Sequence, residues 1–233
     1  MTTDSDEWFR QAQYDIGTAE SLIAAGRYPP VIFFCHLALE KALKALYIEK
    51  YNDIPEKTHS LVFLIDLLEL DPPPHLLDSL IVINRLGITG RYPHNLKKGT
   101  RTIYQRTNTE ISERNAGDPH MVDPKVIEAV NFFKENILEK GIGIHDVVLF
   151  GSSSTGAISA GSDIDIAVIS DDFNGMDMIA RTLLTKDAEL NTIRKYRIPL
   201  DIFTLTIDEY QDQNSLFLRN VRKGIPVLSA QSG

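Results

Sequence analysis

One cysteine, Cys35, in a chain of 233 residues can close no internal disulfide, so this is no disulfide framework, and a reducing, cytoplasmic setting is expected. Long apolar runs are missing too. The stretches from Val31 to Ile48 and from Leu61 to Leu70 are interrupted by His36, Glu40, Lys41, Lys44 and Asp66, too polar to span a bilayer, so no membrane association is expected. The first residues are acidic and polar, which is not the pattern of a targeting segment. No Gly-Lys-Ser or Gly-Lys-Thr occurs, which excludes a P-loop. Positive charge is scarce as well: 24 Lys and Arg against 32 Asp and Glu leave a net charge of −8, a poor basis for indiscriminate binding to a polyanion.

What the chain does have is the 43% hydrophobic content of a globular protein and the length for two domains. The first half reads as helices throughout. From Asp6 to Ala25, Trp8, Ala12, Ile16, Ala19, Leu22 and Ile23 recur at helical spacing, and Gly26 reads as the stop. Val31 to Lys50 forms a second amphipathic pattern, in which Glu40 and Lys44 are expected as an exposed support pair. Thr58-His59-Ser60 offers caps for a third helix to Leu70, and the prolines at 72–74 precede a fourth that ends near residues 87–90. His36 and His59 are expected to serve as structural hydrogen-bonding groups. Between Asn84 and Arg114 the balance of charge reverses, with seven basic residues (Arg85, Arg91, Lys97, Lys98, Arg101, Arg106 and Arg114) against Glu110 and Glu113. Such a segment can touch phosphate, or can equally be a solvated basic loop.

The second half carries the chemistry. Asp123-Pro124 opens a helix to about Lys140, and Val147 to Phe150 reads as a buried strand. The run GSSSTGAISAGSDID from Gly151 to Asp165 follows. Alternation from Asp163 to Ile169 puts Asp163, Asp165 and Ala167 on one strand face and Ile164, Ile166 and Val168 on the other. A later strand from Ile198 to Leu205 brings a third aspartate, Asp201. Carboxylates gathered this closely repel unless something cationic neutralises them. A site with oxygen ligands and no His or Cys suits Mg²⁺, which keeps positions for water and substrate phosphates. Glycines upstream let backbone come close to a phosphate. A Gly/Ser run alone also has the composition of a linker, but a linker predicts neither the alternating aspartates nor the later one. Helices are expected from Asp177 to Thr192 and from Asp208 to Lys223, with a terminal strand at Pro226-Val227-Leu228.

Gly151-Ser152, Gly156 and Ser162-Asp163-Ile164-Asp165, with Asp201 beyond, resemble the signature of the polymerase β-like nucleotidyltransferases, specifically the minimal nucleotidyltransferase branch. The resemblance implies that Gly151, Ser152, Gly156 and Ser162 hold the nucleotide, and that Asp163, Asp165 and Asp201 form the catalytic, metal-binding set for two Mg²⁺ ions, Asp201 also helping to activate the attacking hydroxyl. Thr155 stands where many relatives carry a basic residue. In the first half, Trp8-Phe9, Ala12, Asp15, the run His36 to Leu46, Lys57 to Leu61 and Arg91-Tyr92-Pro93 look like a HEPN domain, a helical bundle that often dimerises and is often encoded beside minimal nucleotidyltransferases. Some such domains are ribonucleases with an Arg and a His at a set spacing. Arg91 lies too near His94 and Arg85 too far, so that activity is not expected.

The expectation is an α+β chain of two domains: a HEPN-like all-α bundle over 1–120 and a small mixed-sheet nucleotidyltransferase domain over 121–233. Its function would be transfer of an NMP, AMP from ATP first among NTP donors, to a hydroxyl acceptor with release of pyrophosphate. The acceptor could be a tyrosine of a HEPN partner or of this chain, Tyr92 and Tyr104 being the first to inspect, or a small molecule of the aminoglycoside kind. The alternative is a non-catalytic nucleotide-sensing module. A homodimer through the helical half is expected, and an RNA-acting protein is not favoured.

Overall fold

A computed structural model describes residues 3–89, 122–151, 163–213 and 215–227. The chain divides into two compact units, Met1–Arg91 and Tyr92–Gly233. The expected junction between 95 and 121 lies outside the described residues.

Among the described residues, the helices of the first unit are α1 (Thr3–Ala24), α2 (Val31–Tyr51), α3 (Leu61–Leu67) and α4 (Pro74–Thr89). The first two form an antiparallel pair. Small residues, Ala12 and Ala19 on α1 and Ala38 and Ala45 on α2, are buried and allow the two axes to approach closely. Polar pins hold the register: Ser5 Oγ donates to Glu49 Oε2 at 2.9 Å and Lys41 Nζ to Asp15 Oδ2 at 2.6 Å. The buried row of α1 is therefore Ser5, Ala12, Asp15 and Ala19, which corrects the expected stripe, for Ile16 and Ile23 lie exposed. A hydrophobicity pattern cannot tell that small and polar residues will form the seam.

A second correction concerns Glu40 and Lys44, which are 5% and 7% exposed rather than a surface pair. The reason is what packs around α2. Lys44 Nζ lies 5.6 Å from the centre of the Trp8 ring of α1, and His59, from the connection to α3, comes to Glu40. Helix α3 is capped by Ser60, whose side chain accepts from Phe63 N. Its residues Leu61 to Ile65 are all buried. Asn84 of α4 accepts from Leu61 N at 2.9 Å. Arg85 beside it is 1% exposed, so this member of the basic segment is not a surface phosphate contact. The remaining members lie outside the described residues.

In the second unit, α5 (Pro124–Glu139) starts at Asp123, whose side chain accepts from Lys125 N, with proline in the first turn. It packs on α6 (Met178–Tyr196). The strands are β1 (Asp146–Phe150), β2 (Ile164–Ile169), β3 (Leu200–Leu205) and β4 (Ile225–Pro226), in the order β3-β2-β1-β4. Strand β1 is antiparallel to both β2 and β4, whereas β2 and β3 are parallel. Parallel strands need a crossover, which α6 provides. The sheet is thus small and mixed, as expected from the sequence.

The expected helix from Asp208 to Lys223 is two helices, α7 (Ile207–Gln211) and α8 (Leu216–Arg222). Each has its own start. Thr206 and Glu209 close a capping box on α7, and Ser215, buried, accepts from Leu218 N to begin α8. Arg181 of α6 fixes α7 with both guanidinium arms on Glu209, at 2.6 and 3.1 Å. The terminal strand begins one residue earlier than expected, at Ile225, and Val227 N donates to Val147 O at 2.8 Å.

Candidate functional site

Strand register builds the site. Phe150 of β1 is opposite Asp165 of β2, and Asp165 is beside Asp201 of β3. Register partners on neighbouring strands point to the same face, so one cross-strand row reads Phe150, Asp165, Asp201. The next row on that face is Val148, Ala167 and Phe203. Asp201 is 7% exposed and Asp165 half-buried. Asp163, also half-buried, stands just before β2, where Ile164 N donates to Pro199 O at 3.0 Å.

Gly151 ends β1 in the left-handed region, at φ +68°. A Cβ at this position would overlap the Asp165 carboxylate and come within 3.1 Å of its Cγ. Glycine is required twice over, for the backbone angle and for the space. The first glycine of the sequence signature therefore abuts the second aspartate of Asp-Ile-Asp directly. Ser152, Thr155, Gly156 and Ser162 lie outside the described residues, so the rest of the expected phosphate turn has no described placement.

The same face around the carboxylates is apolar. Phe150 and Phe203 have ring centres 5.4 Å apart, and Phe217 of α8 lies 5.6 Å from the first and 5.0 Å from the second. All three are buried. Carboxylates at the edge of an apolar wall attract a cation more strongly than carboxylates surrounded by water. Among the described residues no group of three or more His, Cys, Asp or Glu side chains is disposed to hold a metal ion. What the register provides is a pair, Asp165 and Asp201, with Asp163 two residues ahead of the first. Its oxygen-only chemistry fits a hard divalent cation that takes its remaining ligands from water and phosphate.

A second charged centre, in the helical unit, escaped the sequence reading. Glu40 Oε1 accepts from Lys44 Nζ at 2.8 Å, His59 Nδ1 stands 3.1 Å from Oε2, and His36 Nε2 is 3.8 Å from the same oxygen. Burial would raise the Glu40 pKa, but the hydrogen bonds from His59 and Lys44 outweigh it and hold the carboxyl at about 2. His59 thus takes the structural hydrogen-bonding role expected of it, while buried His36 stands near the same carboxylate beyond hydrogen-bond distance. The signal in the sequence was the helical spacing of His36, Glu40 and Lys44, which is equally common on exposed helices. Among the described residues no helix is long and apolar enough to cross a membrane.

Comparison with known families divides the chain in the same sense. Residues 5–114 match the HEPN domain, and residues 134–232 match the polymerase beta nucleotidyltransferase domain. Neither the curated proteins nor the solved structures gave a match.

Proposed function

This chain is a HEPN domain followed by a polymerase beta nucleotidyltransferase domain, and from that premise we propose that it transfers an NMP, AMP from ATP foremost, to a hydroxyl acceptor. The observation that carries this is the placement of Asp165 beside Asp201 in adjacent strands, with the turn glycine Gly151 against Asp165. Two carboxylates in one row disfavour each other's charge. A nucleoside triphosphate that arrives with divalent cations meets a site prepared for them.

In this reading Asp163, Asp165 and Asp201 would hold two Mg²⁺ ions. Bound there, the ions would neutralise the triphosphate and lower the pKa of the incoming hydroxyl. The chain's own groups do the rest. Gly151, with Ser152, Gly156 and Ser162 of the same signature, presents backbone and hydroxyl donors to the phosphates. Asp201 would help activate the acceptor hydroxyl by taking up its proton. The acceptor oxygen forms its bond to the α-phosphorus, the bond from that phosphorus to the bridging oxygen breaks, and pyrophosphate leaves. A tyrosine hydroxyl of a HEPN domain, on a partner or on this chain, is the acceptor we favour, and a second copy bound through the helical unit would present it.

The test is incubation of the purified protein with Mg²⁺ and α-labelled ATP, beside the double variant Asp163→Ala, Asp165→Ala, read by intact mass and pyrophosphate release. Adenylyl mass on the wild type alone supports transfer and locates the acceptor. Binding of ATP without transfer to any acceptor makes the domain a nucleotide sensor, and absence of ATP binding overturns both readings.

A further inference from the structure

The aromatic wall under the carboxylates involves a helix that lies outside the sequence signature. Strands β1 and β3 are separated by β2, which places their axes about 10 Å apart. The rings of Phe150 and Phe203 nevertheless come to 5.4 Å, so they lean towards each other across β2. On that face of β2 Ala167 is the register partner of Phe203 and stands diagonal to Phe150, one row on from Asp165, and its lone methyl leaves room for this. Phe217 then seals both rings from α8. Helix α8 is anchored on the same face a second time. Gly224, just beyond it, lies so close to β1 that a Cβ would overlap Leu149 O and approach Phe150 Cβ to 2.9 Å. Phe150 adjoins Asp165 in its row, and Phe203 is two residues on from Asp201.

We propose that Phe217 is a positioning residue: by locking Phe150 and Phe203 together over Ala167, it fixes the separation of Asp165 and Asp201 at which a divalent cation is held. This rests on the reading of those aspartates as cation ligands. The C-terminal helix then acts on the reaction centre through two rings, without touching nucleotide. A ring cluster suits this task because aromatic side chains have few rotamers and transmit displacement.

The experiment is titration of the full-length protein with Mn²⁺ in the absence of nucleotide, reading free Mn²⁺ by electron paramagnetic resonance and the metal-free melting temperature in parallel. The proteins are wild type, Asp165→Asn, Phe217→Leu, Phe217→Tyr and Ala167→Val. Wild type is expected to bind and Asp165→Asn to lose binding. Phe217→Leu should weaken affinity on the order of tenfold, the scale for removing a group that orients a metal ligand, while Phe217→Tyr, which keeps the ring, retains it. Ala167→Val, which forces the rings apart without deleting either, should weaken it similarly and decides the matter if Phe217→Leu does not fold. A lower melting temperature with unchanged Mn²⁺ affinity in Phe217→Leu or Ala167→Val makes the cluster ordinary core and overturns the inference alone. Failure of the wild type to bind, or binding unaltered in Asp165→Asn, removes the cation reading and this inference with it.

Discussion

The two units treat buried carboxylates in opposite ways. In the helical unit, Glu40 is met by Lys44, His59 and His36 from its own fold. In the sheet unit, Asp165 and Asp201 are set beside each other by strand pairing, so the register adds like charge to like. The first arrangement neutralises itself and holds helices together. The second sets two carboxylates in one cross-strand row, the arrangement on which the proposed cation binding rests. A charged cluster is thus best judged by the signs its backbone brings together, since burial alone does not separate a structural centre from a functional one.

The sharpest way to break this contrast is to remove charge from each centre. Asp165→Asn or Asp201→Asn is expected to lower nucleotidyl transfer on the order of a thousandfold, the scale for losing a charge-stabilising group at a reacting centre. The melting temperature should hold or rise, since a repulsion is relieved; a fall of several degrees would make these aspartates structural. Glu40→Ala should do the reverse, costing about 3–5 kcal/mol in urea unfolding because Lys44 is left buried without its counter-charge.

Acid sharpens the comparison further. The Glu40 carboxyl is held at about 2, below its ordinary value of 4.5. A depressed acid stabilises the fold fully above its unfolded pKa and loses that contribution as pH falls through the folded one. Unfolding free energy should therefore decline between about pH 4.5 and 2 by roughly 3 kcal/mol through this group. Glu40→Gln should flatten that decline, and an unaltered slope would show that other carboxylates govern it. The smallest expected effect is at Gly151. Gly151→Ala imposes a left-handed angle on a residue with a Cβ, about 1–2 kcal/mol, and pushes on Asp165. Thermal melting should register the first and Mn²⁺ affinity the second, and no change in affinity would mean that Asp165 does not depend on that contact.

Much of this was legible in the sequence because it is local. Period-two alternation assigned Asp165 and Ala167 to one strand face, the caps at Ser60 and Asp123 marked helix starts, and Gly151 with Asp-Ile-Asp pointed to nucleotide chemistry. Local reasoning erred where neighbours distant in the chain decide. The spacing of Glu40 and Lys44 is the same on an exposed helix as on a covered one, and only the arrival of Trp8 and His59 buries them. Ile16 and Ile23 looked like core because they are apolar, yet the α1 seam is made by alanine with Ser5 and Asp15, since close helix packing rewards small size and a paired polar contact over hydrophobicity. The helix expected from Asp208 to Lys223 failed because a second cap, Ser215, restarts it against β1.

By itself, then, the sequence determined the two-part organisation, the run of elements and the residue types of the site, all of which follow from periodicity, capping and composition within a few turns of chain. Tertiary structure decided the register, in which Asp201, already expected in the same site, is the direct neighbour of Asp165, 36 positions away in the sequence, and it alone decided that Phe217 reaches two strands at once. The physical reason is that strand register and ring packing are settled by the whole sheet and its crossover helix, through contacts whose partners no local pattern names.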